Sequence, residues 1–183
     1  MSGCWSRNGQ ETILIADDAE INRAVLRNLL EDKYNILEAE NGEQALMLLR
    51  QYSDTIAAVL LDLYMPEKDG YGILEEMGLD ARLSHIPAVI ITTDDRTDSK
   101  VRLFELGASD IITKPFEPNV VKSRIKNIIE LGRYRRRLEL LVEEQSARAR
   151  ESSAAVIDML TSVIEHRNLE SGRHIRLSLI HIF

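Results

Sequence analysis

Asp17 and Asp18 follow the apolar run Thr12-Ile13-Leu14-Ile15-Ala16, Asp62 follows Ala57-Ala58-Val59-Leu60-Leu61, Thr92 follows Ala88-Val89-Ile90-Ile91, and Lys114 follows Ile111-Ile112-Thr113. In a parallel sheet the carboxyl ends of the strands share one edge, so these side chains converge on one crevice, the place where ligands of such folds bind. Taken singly, each residue has a plainer explanation: paired acids after a strand can cap the next helix, and Asp62 can be a loop acid. The joint arrangement points further. Three carboxylates at one edge raise one another's pKa unless a cation neutralises them. An all-oxygen donor set suits a hard divalent ion, and Mg²⁺ takes one or two carboxylates plus a phosphoryl oxygen while keeping several waters. The Lys114 ammonium would oppose that ion, and the Thr92 hydroxyl is not needed for it. Both make sense if a phosphoryl group sits between them and the metal.

The elements that must position these residues follow from periodicity. From Thr12 to about Leu131, strand-length apolar runs alternate with amphipathic segments of helical length, five of each. Ile21, Val25 and Leu29 carry the apolar spacing of the first helix and Ala45, Leu48 and Leu49 that of the second, where Asn41 with Gln44 three residues on forms an N-terminal cap. A third helix is predicted near Tyr71 to Leu79. A fourth covers Thr97 to Leu106, with Val101 and Phe104 on one face and Gly107 as its stop, and a fifth begins after Pro115 and Pro118. Strands apolar at nearly every position, such as Ala57 to Leu61, suit a sheet covered on both faces. The class is an open, doubly wound α/β domain.

Beyond Leu131 the character changes. Leu131, Leu138, Val142, Ala149, Val156, Met159 and Val163 follow a heptad seam broken by Arg135, Gln145 and Ser152, which reads as a long, weak coiled-coil or signalling helix. The alternative is a solvated charged helix, with Arg135 to Arg137, Glu143-Glu144 and Arg148 to Glu151 on its water-facing side. The coiled coil is favoured because a helix this long and weakly apolar needs a partner to be stable.

Composition excludes several classes. The chain has 183 residues, 44% of them apolar, enough for one domain and an appendage. A formal charge of −7 argues against nucleic acid as a direct partner. Cys4 is the single cysteine, so no intrachain disulfide forms, and a reducing setting fits. The first ten residues lack the apolar core of a signal peptide, and no stretch reaches the ~20 apolar residues of a spanning helix. The expectation is a cytoplasmic protein without membrane association.

Four segments carry a resemblance: Ile13-Leu14-Ile15-Ala16-Asp17-Asp18, Leu60-Leu61-Asp62-Leu63-Tyr64-Met65-Pro66-Glu67-Lys68-Asp69-Gly70, Ile90-Ile91-Thr92-Thr93, and Gly107 to Phe116. In this order and spacing, over about Glu11 to Leu131, they resemble the receiver domain of two-component response regulators. The resemblance implies a flavodoxin-like, five-stranded, doubly wound parallel sheet, here with a long helical C-terminal extension. It implies that Asp62 accepts a phosphoryl group from a histidine kinase or phosphotransfer protein. Asp18 and Asp62 would ligate Mg²⁺ directly, Asp17 through water, and the main-chain carbonyl of Tyr64 would complete the set. Lys114 would pair with the phosphoryl group, Thr92 would move to hydrogen-bond it, and the Lys114-Pro115 bond would be cis. Two positions depart from the pattern. Ile111 stands where an aromatic residue often rotates inward on activation, and Thr93 stands where a small residue is usual.

Val156 to Ile175 resembles the opening helix and first turn of an HD-type phosphohydrolase domain of the HD-GYP class, the cyclic-di-GMP phosphodiesterases. That likeness would make Glu170 and His174 metal ligands on one helical face, although Asn168 stands where many members have aspartate. It stops before the HD dyad, and Leu177 to Phe183 does not continue it. The expectation is therefore a disordered leader (1–10), a receiver (11–131), a signalling helix (132–166) that supports a homodimer through residues 131–163, and the truncated start of an output domain (167–183) whose last residues depart from the native sequence. Such a chain is a switch rather than an enzyme. The competing readings are a haloacid-dehalogenase-like phosphohydrolase, disfavoured because Tyr64 stands where that family has its second aspartate, and a docking module that works without phosphorylation.

Overall fold

Strands built from Val, Ile, Leu and Ala at successive positions have no polar face to give to water, so they must lie between two layers of helices. The computed structural model describes residues 10–115 and 117–180, and beyond residue 150 the side chains of Ser153, Ala154, Ile157 and Met159 alone. Among the described residues, five strands, β1 (Thr12–Ala16), β2 (Asn35–Ala39), β3 (Ile56–Asp62), β4 (Ala88–Thr92) and β5 (Asp110–Thr113), alternate with α1 (Glu20–Leu30), α2 (Gly42–Gln51), α3 (Gly70–Leu79), α4 (Thr97–Glu105) and α5 (Pro118–Ile180). All strand pairings are parallel and the order is β2-β1-β3-β4-β5. The order reverses between β1 and β3, which places the switch point between Ala16 and Leu61, partners in that ladder.

Side chains alternate between two cores. Leu14, Ala16, Val59, Leu61, Ile90 and Ile111 face a cluster completed by Ala45, Leu49, Ile73, Leu74 and Leu103 of α2, α3 and α4. Ile13, Ile15, Leu60, Val89, Ile91 and Ile112 face Leu26 and Leu30 of α1 and Val121, Ile125 and Ile129 of α5. Each fully buried Leu or Ile contributes roughly 1.5–3 kcal/mol of transfer free energy.

The helix boundaries follow local chemistry. Asn41 caps α2 by accepting the Gln44 N–H at 2.8 Å, and Gln44 reaches back to the Glu40 N–H at 2.8 Å. Gly107, with φ +96°, ends α4 in a conformation that only glycine adopts cheaply. Gly42 opens α2 because a Cβ there would overlap the Lys68 carbonyl oxygen.

Two helix faces differ from the sequence expectation. Ile21 and Val25 are 78% and 47% exposed, and α1 buries Arg23, Leu26 and Leu30 instead. The stripes Ile21-Val25-Leu29 and Asn22-Leu26-Leu30 are neighbours on the helix, so periodicity alone does not choose between them. On α4, Val101 and Phe104 do share a face, but it points outward, and Ser99 and Leu103 are buried.

The chain divides into two units, Met1–Tyr134 and Arg135–Phe183. Within the first, α5 buries Val121, Ile125 and Ile129, and Arg133 forks onto Glu11 with two 2.6 Å hydrogen bonds. Within the second, Leu138, Leu140, Leu141, Val142, Ile157 and Met159 are exposed, and Arg135–Glu139 and Arg148–Glu144 pair along the helix. The backbone stays helical through Ile180. No helix among the described residues is long and apolar enough to cross a membrane.

Candidate functional site

The carboxyl edge of the sheet brings the residues together. Asp17 and Asp18 follow β1, Asp62 ends β3, Thr92 ends β4 and Lys114 follows β5. Asp17, Asp62 and Thr92 are buried, whereas Asp18 is exposed. The three carboxylates each offer an oxygen within 4.8 Å of the others. Lys114 Nζ donates to Asp17 Oδ2 at 2.8 Å and to Asp62 Oδ2 at 2.9 Å, so the ammonium bridges the two buried acids directly. The Lys114-Pro115 peptide is cis.

Local chemistry fixes each acid. Asp17 accepts the Ala19 N–H at 2.9 Å and both of its oxygens accept from the Asn22 amide, at 2.9 and 3.0 Å. It thus turns the chain toward α1 from two residues before Ala19, the N-cap residue, while its Oδ2 also faces Lys114. Asp62 is held by the turn that follows it. Gly70 N–H donates to the Leu63 carbonyl at 2.9 Å, and a Cβ on Gly70 would stand 2.9 Å from the Asp62 carbonyl oxygen. Asp69 caps α3 through the Gly72 N–H at 2.8 Å.

Burial pushes the Asp62 carboxyl above its ordinary value and the Asp17 charge adds to the rise, against the hydrogen bond and charge of Lys114 and the Tyr64 main-chain N–H. Burial alone would lower Lys114, but its hydrogen bonds to Asp17 and Asp62 outweigh that and raise it. The cluster thus holds a lysine ammonium and still carries an excess of carboxylate. Its donors are all oxygen, a set that fits a hard divalent cation such as Mg²⁺. Asp62, at the end of a buried strand, is a carboxylate with a cation beside it, a group of the kind that can act as a nucleophile.

Two features of the site are not marked by residue type and spacing. The first is Arg23, a buried cation whose Nη1 reaches the carbonyls of Asp17 and Asp18. Its signal was its place on the same stripe as Leu26 and Leu30. The second is a network at the rim. The Thr92 hydroxyl accepts the Asp94 N–H at 3.0 Å, and the Asp94 carboxylate takes the Tyr64 hydroxyl at 3.3 Å, the Ser99 hydroxyl at 2.7 Å and the Arg96 guanidinium at 2.8 Å. Arg96 holds the Asp94 carboxyl well below the usual carboxylate range, and partial burial with the Asp94 charge pushes the Tyr64 phenol up. Tyr64 thus presents its side chain to the β4–α4 loop. Thr93 is exposed, and Ile111 is buried in the α2–α4 core. The side chains of Glu170 and His174 lie outside the described residues.

Residues 13–126 match the response regulator receiver domain. Over 121 residues, 66% of the chain, it is 40% identical to "Histidine kinase P4" of Formosa agariphila, covering 9% of that protein. Over 173 residues, 91% of the chain, it is 34% identical to the "Probable cyclic di-GMP phosphodiesterase" of Vibrio cholerae, covering 39% of that protein. Among solved structures, it is similar to the signal receiver domain of a histidine kinase from Syntrophus aciditrophicus, with TM-score 0.60, 30% identity and coverage of 66% of this chain and 90% of that one. It is also similar to a response regulator receiver domain protein from Clostridium thermocellum, with TM-score 0.63, 25% identity and coverage of 68% and 98%. The chain spans about half or less of the length of these curated relatives.

Proposed function

Because the chain belongs to the response regulator receiver domain family, we propose that Asp62 takes a phosphoryl group from the phosphohistidine of a kinase or phosphotransfer protein. A receiver domain is a signalling switch in a two-component system. The observation that carries the assignment to Asp62 is the Lys114 bridge at 2.8 and 2.9 Å, which puts a fixed cation beside a buried strand-end carboxylate. An Asp62 carboxylate oxygen attacks phosphorus, the phosphorus–nitrogen bond of the donor breaks, and its electron pair leaves with the imidazole. Lys114 faces the negative charge on the transferred group, and Thr92, released from the Asp94 N–H, donates its hydroxyl to it. Asp17, Asp18, Asp62 and the Tyr64 carbonyl would hold Mg²⁺, which supplies charge neutralisation when bound.

The signal leaves through the helix after Leu131. The exposed apolar residues Leu138, Val142 and Met159 of the seam support pairing with a second copy. We read residues 132–166 as this signalling helix and 167–183 as the opening of an output domain. The similarity over 173 residues to a cyclic di-GMP phosphodiesterase favours an output of that class, with Glu170 and His174 among its metal ligands. A cytoplasmic location fits these partners. The test is intact-mass spectrometry after incubation with acetyl phosphate and Mg²⁺. One phosphoryl group is expected on the wild type and none on Asp62→Asn, and equal labelling of both overturns the assignment.

A further inference from the structure

Arg23 is an unusual residue to bury. It is 6% exposed on the inner face of α1, beside Leu26 and Leu30, at a position where an apolar side chain would suffice for packing. Burying a guanidinium costs several kcal/mol unless its partners are well placed. Its partners are specific. Nη1 donates to the Asp17 carbonyl at 2.8 Å and to the Asp18 carbonyl at 3.2 Å. Nη2 donates to Glu40 Oε1 at 3.4 Å. Nε faces Glu38 Oε2 at 3.4 Å, an ion pair without an aligned hydrogen bond. The carboxylates that offset its charge come from the end of β2 and the residue after it, and the groups it grips belong to the dipeptide that carries two of the three pocket acids.

We infer that Arg23 is a positioning residue for the acid pocket, holding the main chain of Asp17 and Asp18 so that their carboxylates are set for a divalent cation before it arrives. The Asp17 N–H is tied to the Ala39 carbonyl at 3.2 Å on one side, and both carbonyls are tied to Arg23 on the other. With these main-chain groups tied, the stretch that carries the two carboxylates is fixed beside Asp62, and the ordering cost is met in folding rather than in binding. Outer groups that orient metal ligands in this way change affinity by about 10- to 100-fold when altered. This rests on the phosphoacceptor reading of the same pocket.

The experiment is calorimetric titration of Mg²⁺ into the full chain for the wild type, Arg23→Lys and Glu38→Gln, with circular dichroism as the check of folding and acetyl phosphate loading measured across Mg²⁺ concentration. Arg23→Lys keeps the charge but not the fork, and its Mg²⁺ Kd should rise about 10-fold or more, with loading recovered at high Mg²⁺. Glu38→Gln keeps the guanidinium and loosens its hold, so a smaller rise in Kd is expected, and it decides the matter if Arg23→Lys does not fold. A residue that only packs would lower Tm and leave the Kd of the folded protein unchanged, and that result overturns the inference. The two readings fail separately. A wild type labelled at Asp62 with unchanged Kd in the folded variants overturns the role of Arg23 alone, whereas a wild type that neither binds Mg²⁺ nor takes a phosphoryl group overturns both.

Discussion

Replacing Lys114 by Met removes an ammonium that stands 2.8 Å from Asp17 and 2.9 Å from Asp62 while keeping the length of the side chain. The side chains of Asp17, Asp62 and Lys114 are only 2%, 11% and 16% exposed, so water compensates little. Breaking such a pair by deleting one partner costs about 3–5 kcal/mol. Asp17 keeps its Asn22 and Ala19 donors, which confines most of the loss to Asp62 and favours the lower end, about 3 kcal/mol. For a domain of this size that is a fall in Tm of roughly 10 °C. The pH dependence has a definite sign. A carboxyl whose folded-state pKa is raised contributes stability that is fully present below its unfolded value and is lost as pH rises through the folded value. Asp62 is already raised above 3.8 with Lys114 beside it, and without Lys114 the burial and the Asp17 charge act with less opposition. The deficit of Lys114→Met should therefore be largest at neutral pH and shrink as pH falls toward about 4. Mg²⁺ should raise the Tm of the variant more than that of the wild type, because it replaces the missing charge. Thermal unfolding by circular dichroism across this pH range, with and without Mg²⁺, measures all three effects. Equal Tm at pH 7, or a deficit that does not shrink on acidification, refutes the reasoning.

Asp18→Ala removes an exposed carboxylate from the acid cluster and relieves repulsion within it, so calorimetry should show weaker Mg²⁺ binding and thermal unfolding a Tm no lower than that of the wild type. Gly42→Ala sets a methyl group against the Lys68 carbonyl, and urea unfolding should report a loss of about 1–3 kcal/mol or more. The full chain should dimerise with rising concentration, and a chain ending at Gly132 should not. Sedimentation showing a monomer for both lengths leaves Leu138, Val142 and Met159 without the partner assigned to them.

Much of the site was legible because strands such as Ile56–Asp62 are apolar throughout and end on a polar residue, which marks the carboxyl edge of a parallel sheet. The capping pair Asn41–Gln44 and the stop at Gly107 were legible because they depend on residues within one turn. What did not show in the sequence depends on partners far along the chain. The buried face of α1 is decided by Arg23 reaching the carbonyls of Asp17 and Asp18, and by Glu38 on β2, and the period of the helix carries none of that. In the same way, the Thr92 hydroxyl is engaged by the main chain two residues on, a backbone conformation that residue types alone do not specify.

Ile111 and Ile112 are neighbours in sequence and lie in different cores. The sheet is therefore a partition. Packing changes on its two sides share no side-chain neighbours, so their effects on stability should add, whereas changes on one side should couple. A disturbance under α1 and α5 has little means of reaching α4 through side chains packed across the middle of the molecule. The crevice is the junction where that separation ends: Asp17 holds Asn22 of α1, Thr92 and Asp94 lead to Ser99 of α4, and Lys114 joins Asp17 to Asp62 between them. The phosphoryl group proposed for Asp62 would thus touch the junction of both helical layers of the sheet at once.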